Sequence, residues 1–88
     1  MKGIFVTLYD AKADTYTPPV VADSNAAAIR QLSLLVNADK GSLVELHPED
    51  FTLFRIGSFD GACISSEERQ ALANGIDVKV VRSSVQEA

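Results

Sequence analysis

His47, Glu49 and Asp50 form the closest thing to a reactive cluster in this chain. A histidine beside two carboxylates is the chemistry of a general base with its acid, or of a metal site. The spacing is not that of a zinc site. His47 is the sole histidine and Cys63 the sole cysteine, so no further nitrogen or sulfur ligand completes one. No EF-hand-like run offers an all-oxygen site either. Pro48 at a first-turn position, with two acids behind it, reads instead as an exposed turn whose carboxylates complement a helix N-terminus. Ser65 and Ser66 lack a nucleophile-elbow context, and Glu68 three residues after Ser65 makes them a helix cap. Cys63 has no neighbouring histidine or cation in sequence to lower its pKa, which marks a structural thiol. Gly57, Gly61 and Gly75 are isolated, so no loop cradles a phosphate. The residues predict a non-enzyme with no catalytic residue, no metal and no cofactor.

Strand faces offer a different chemistry. In Gly3–Asp10, Ile4, Val6 and Leu8 fall on one face, and Phe5, Thr7 and Tyr9 on the other. In Thr52–Phe59, one face holds Thr52, Phe54, Ile56 and Ser58, the other Leu53, Arg55, Gly57 and Phe59. If Ile4-Val6-Leu8, Phe54-Ile56 and Ile76-Val78-Val80 lie under helices, then Phe5, Tyr9, Arg55, Phe59 and Lys79 share the opposite surface. Such a face suits single-stranded nucleic acid: bases stack on rings, and cations meet phosphates. Lys12 and Arg30 are further candidate phosphate contacts. A dimer interface or a cover from the Lys12–Thr17 loop is the competing reading, because aromatic patches serve protein partners equally well. Phe51, Phe54 and Phe59 are then the candidate anchors.

These residues need elements to position them. Asp10–Thr17 is polar and turn-like. Pro18-Pro19 extends the backbone ahead of a short edge strand at Val20-Val21. Asp23 or Ser24 caps a helix over Ala26–Asn37, where Ile29, Leu32 and Val36 recur at helical spacing beside Ala28 and Leu35, and Arg30, Ser33 and Asn37 face outward. Gly41 is placed to turn left-handed after it. Leu43–Leu46 is a short strand or an extended connector. Asp60-Gly61 signals a hairpin, with Ala62–Ser65 returning antiparallel. The spacing predicts a short helix from the Ser65 cap through Asn74, ended by Gly75, and a last strand over Ile76–Val81. The sum is an α+β fold: a small, mostly antiparallel sheet of three to five strands, with one main helix and a second short helix on one face. Residues 1–82 are read as one domain and 83–88 as a polar tail.

With 88 residues, the chain buries only about 60–65% of its unfolded surface. A thin core leaves little room for a deep pocket and favours a homodimer. Twelve acidic and eight basic residues give a net charge of −4. That argues against a general electrostatic grip on nucleic acid and leaves a local basic face as the route. One cysteine fits a reducing compartment. With no signal-peptide pattern and no long apolar run, a soluble cytoplasmic protein is expected.

Several phrases are similar to the small nonstructural protein of gokushovirus-type microviruses, which are single-stranded DNA phages. They are Tyr9-Asp10-Ala11-Lys12-Ala13, Pro18-Pro19 with Ala22-Asp23, Ala28-Ile29-Arg30, and His47-Pro48-Glu49-Asp50-Phe51 with Leu53-Phe54 and Ile56-Gly57-Ser58-Phe59-Asp60. They keep the family's order over about residues 3 to 61. The resemblance implies a phage protein of the host cytoplasm, absent from the virion and commonly described as DNA-binding. It also implies a part in switching from duplex replication to single-strand synthesis and packaging. Single-stranded DNA is the partner so expected; viral or host replication proteins are the alternative.

Overall fold

The computed structural model describes residues 1–79. Its elements are β1 (Lys2–Asp10), β2 (Thr15–Tyr16), β3 (Val20–Ala22), α1 (Asn25–Val36), α2 (Leu43–Leu46), a 3-10 turn (Pro48–Asp50), β4 (Phe51–Asp60), β5 (Cys63–Asn74) and α3 (Gly75–Val78). The five strands form one sheet in the order β2-β1-β4-β5, with β3 also on β1, and every pairing is antiparallel. The α+β expectation therefore holds: a five-stranded antiparallel sheet, one main helix and short helices.

α1 forms where expected. Ser24 caps it, its hydroxyl accepting from Ala27 N at 3.1 Å. Ala28, Leu32 and Val36 are buried one turn apart. They meet Ile4 and Val6 of β1, Val44 of α2, and Phe51 and Leu53 of β4 in a single core. Leu35 stays half exposed. Gly41 turns left-handed (φ 76), and Asp39 does so as well (φ 63).

Three local readings change. Ser65–Asn74 is not a helix but most of the twelve-residue strand β5. Glu67, Glu68, Arg69, Gln70, Ala71 and Leu72 are good helix formers. However, the segment has no apolar stripe for a helix to bury, and Cys63–Ala71 is exposed throughout. The two-residue loop after Asp60, with Gly61 at φ 61, instead closes a hairpin that pairs the segment along β4. Ile76–Val81 is not a strand: Gly75–Val78 makes one helical turn. Asn74 caps it, its side chain accepting from Ile76 N, while the Asp77 carboxylate accepts from Asn74 N, both at 3.0 Å. The remainder of that expected strand, and the expected tail 83–88, lie outside the described residues. Leu43–Leu46 is helical rather than extended.

Glu45 explains that last turn. It is only 7% exposed. Its carboxylate accepts from Ser42 N (2.8 Å), Ser42 Oγ (3.2 Å) and Lys40 N (2.8 and 2.9 Å). These donors, the Ser42 and Lys40 backbone amides foremost, hold its carboxyl at about 2, below the ordinary 4.5. Between those values the unfolded chain binds a proton that the folded chain does not. Stability is therefore fully present above about pH 4.5 and declines as pH falls toward 2. Glu45→Gln should lower the melting temperature at pH 6 by about 5 °C or more. The gap to the parent should close toward pH 2. Circular-dichroism melts across that range check it, and a gap constant with pH would refute the assignment.

Candidate nucleic-acid interface

The three helices lie on one face of the sheet; no helix of the described residues covers the opposite, outer face, where the Lys12–Thr17 segment reaches Thr7 and Tyr9. What points outward depends on one irregularity. β1 and β4 pair in regular alternation from Lys2↔Asp60 to Phe5↔Gly57, then resume at Val6↔Arg55. Ile56 is the extra residue, a β-bulge, and it reverses the side-chain parity of β4 on either side of itself. Before the bulge, Phe51 and Leu53 point into the core, so Phe54 points outward. After it, Ser58 faces the helix side with Ile4, and Gly57 and Phe59 face outward with Phe5 and Gly3.

This corrects the simple alternation. Leu53 takes the core place expected for Phe54 and Ile56. Phe54 joins the outer face. Arg55 leaves it, because it shares the helix side with its partner Val6. Phe51 is buried at 8% exposure, which removes it as an interface anchor.

Five of the six aromatic side chains meet on the outer face in two groups. Phe5 and Phe59 are in contact at 5.4 Å between centroids. They line a shallow hollow of about 170 Å³ with Val21, Ala62 and the 72% exposed Ile64. Toward the other end of the sheet, Tyr9 lies 4.7 Å from Tyr16, and Phe54 lies 6.3 and 6.4 Å from those two rings. The Arg69 guanidinium sits 4.6 Å above the Phe54 ring and donates to the Tyr16 hydroxyl. The Tyr9 hydroxyl donates to Asp14 at 2.6 Å, which, with burial second, raises its pKa. Asp14 holds that place in a left-handed conformation (φ 56) at the tight β1–β2 turn.

Of the seven expected interface residues, Phe5, Tyr9 and Phe59 are on this face. The four cations are elsewhere. Arg55 donates twice to Glu67 (Nε at 2.8 Å, Nη2 at 3.2 Å) and once to Asn25 Oδ1 at 3.0 Å, at the start of α1. Its hydrogen bonds lower the Glu67 carboxyl below its usual range, and Glu67 in turn raises Arg55. Lys79 is on no strand: its ammonium donates to Val36 O (3.3 Å) and Glu45 O (3.4 Å) and caps the ends of α1 and α2. Arg30 is exposed on α1, in the helix layer, and Lys12 is exposed in the turn after β1. Sequence reading missed Tyr16 and Arg69, and offered Phe54 only as an anchor for a protein partner while placing it under the helices. Arg69 becomes visible only if residues 63–74 are read as the return strand of the Asp60-Gly61 hairpin.

His47, Glu49 and Asp50 do come together, with one ligand atom from each within 4.8 Å of the others. His47 and Glu49 are exposed on the 3-10 turn. The turn has a structural task, because Asp50 O accepts from Ala11 N at 2.8 Å and ties it to the end of β1.

No helix among the described residues is long and apolar enough to cross a membrane. Neither the curated proteins nor the solved structures give a match. A family model does: the one described as Phage ORF5 protein matches residues 4–78, which spans the core strands, α1 and the whole outer face. By that match, this chain is a member of the Phage ORF5 protein family.

Proposed function

We propose that this phage protein binds single-stranded DNA on the outer sheet face, as a non-enzymatic accessory of viral DNA replication in the host cytoplasm. The observation that carries the reading is the concentration of five aromatic side chains, each at least partly exposed, on a face no helix covers, with Arg69 among them. Rings at this spacing offer stacking surfaces that tolerate any base, and a guanidinium in the same patch meets phosphate. The likeness to the gokushovirus nonstructural protein supports a part in the switch from duplex replication to single-strand production.

Binding should be modest and salt-dependent, because one arginine must act against a net charge of −4. Fluorescence anisotropy with an oligo-dT probe at low salt tests it. Phe54→Ala should weaken binding about 5- to 100-fold, because the ring seats the Arg69 guanidinium, on whose outer side a base can stack. Arg69→Gln should reduce the log–log salt slope by about one. Arg55→Ala should change affinity less than twofold, because its guanidinium faces Asn25 and Glu67. If Arg55 matters and Phe54 does not, the outer face is the wrong surface.

A protein-interaction role, as a homodimer or on viral or host replication proteins, is the second reading. Leu34, Leu43 and Leu46, each more than 60% exposed on the helix layer, favour it. Sedimentation showing a dimer, with no oligo-dT binding at any salt, would select it.

A further inference from the structure

We propose that the outer face holds a DNA strand at two separated and chemically different points: a base-only seat at Phe5 and Phe59, and a base-and-phosphate seat at Tyr16, Phe54 and Arg69. This rests on the single-strand reading above and adds the footprint and the division of labour. The two ring groups do not merge. They stand in adjoining rows of the sheet: Phe5 shares its row with Gly57 and Ser66, and Phe54 shares its row with Thr7, which is buried, its hydroxyl donating to Thr17 O at 2.6 Å. Among the described residues no ring contact joins Phe5 or Phe59 to Tyr9, Tyr16 or Phe54.

The ends differ in chemistry. The hollow at Phe5 and Phe59 is lined by Val21, Gly61, Ala62 and Ile64, with no cation among its described residues. It suits an uncharged base face. At the other end Arg69 covers the Phe54 ring and bonds the Tyr16 hydroxyl. Its Nη1 is hydrogen-bonded to Tyr16, which leaves the other guanidinium donors for a phosphate oxygen or a base edge. Phe59 and Phe5 stand in the Gly3 and Phe5 rows, Phe54 and Tyr16 in the Thr7 and Tyr9 rows, so the centres of the two seats are four residues apart on β1, a gap of about 13 Å at the usual strand rise. Stacked nucleotides advance about 3.4 Å each, so about four span the gap, and roughly half as many do if the backbone is stretched. A dinucleotide reaches one seat; an oligomer of about four to six reaches both.

Anisotropy or NMR titration of oligo-dT from two to eight nucleotides tests this on the full chain. Affinity should rise at least about tenfold between two and six nucleotides, then level off. Phe59→Ala should flatten that rise. Ile64→Asp, at an exposed position of the same seat, should do so without touching the packing between Phe59 and Gly3. Arg69→Gln should keep a length dependence but lose salt dependence. Equal binding of two and six nucleotides, or a rise that survives Ile64→Asp and Phe59→Ala, would overturn the two-seat arrangement while leaving single-strand binding in place. No binding even of a thirty-nucleotide probe would overturn both.

Discussion

Phe51→Ala is expected to destabilise the fold by about 3–5 kcal/mol, the usual cost of emptying a buried aromatic site. Phe51 is the one aromatic side chain that faces the core, where it packs with Leu53, Val44 and the α1 positions Leu32 and Val36. It also begins β4, immediately after the 3-10 turn, so the cavity would open where strand, turn and α2 converge. A domain of this length has a stability of roughly 4–13 kcal/mol, so the loss is a large fraction of the total. Urea unfolding measures it. Phe51→Leu fills most of the space and should cost markedly less, which keeps the comparison usable if the alanine variant does not fold. The same pair separates stability from binding. If Phe51→Leu remains folded, its affinity for oligo-dT should match the parent. A cost below about 1 kcal/mol for Phe51→Ala would place this ring outside the core.

Phe51 and Phe54 show what the sequence could and could not disclose. Both lie in one aromatic-rich run, and both offer the same chemistry. Their difference is a matter of face, and face is set by register. Ile56 adds one residue to β4 relative to β1, so alternation counted from Phe59 gives the wrong parity for Phe54. Nothing local to Ile56 announces the bulge; it follows from how two strands distant in sequence align. α1 was legible for the opposite reason. Its Ser24 cap and its Ala28, Leu32 and Val36 stripe are local, and tertiary packing reinforces them. The Asp60-Gly61 hairpin was also legible, through the backbone demand at Gly61.

β5 marks the other limit. Its local preference is helical, yet strand pairing with β4 and the lack of a buriable stripe prevail. Misreading it hid Arg69, the cation on which the functional proposal depends. The basic residues nearest the aromatics in sequence, Lys12 and Arg55, are not those nearest in space. Arg55 and Lys79 are absorbed in joining strands to helices and helices to one another. A charge tally could not separate these structural cations from Arg69, which is held among the outer-face rings. The hydrogen-bond partners do.

Gly75→Ala should destabilise the fold clearly, although it adds a single methyl. A Cβ at Gly75 would lie 2.4 Å from Pro48 O and 3.0 Å from Pro48 C. Both are backbone atoms of the 3-10 turn, so no side-chain rotation relieves the clash. α3 or the turn must move. α3 cannot shift alone, because Val78 O accepts from Asn37 Nδ2 at 3.0 Å, and Lys79 beyond it caps α1 and α2. Asn74, just before it, donates to Glu49 O and Thr52 Oγ1, both at 3.1 Å. The expected cost is about 1–3 kcal/mol or more, the range for overpacking a well-filled site. Gly41→Ala is the informative control. Its Cβ would meet nothing within 4 Å, but its φ of 76 is unfavourable for alanine, so about 1 kcal/mol is expected. Thermal melts of the two variants should therefore differ clearly in the same direction. If Gly75→Ala melts at or above Gly41→Ala, the close approach of α3 to Pro48 is not what fixes the end of β5 against the core.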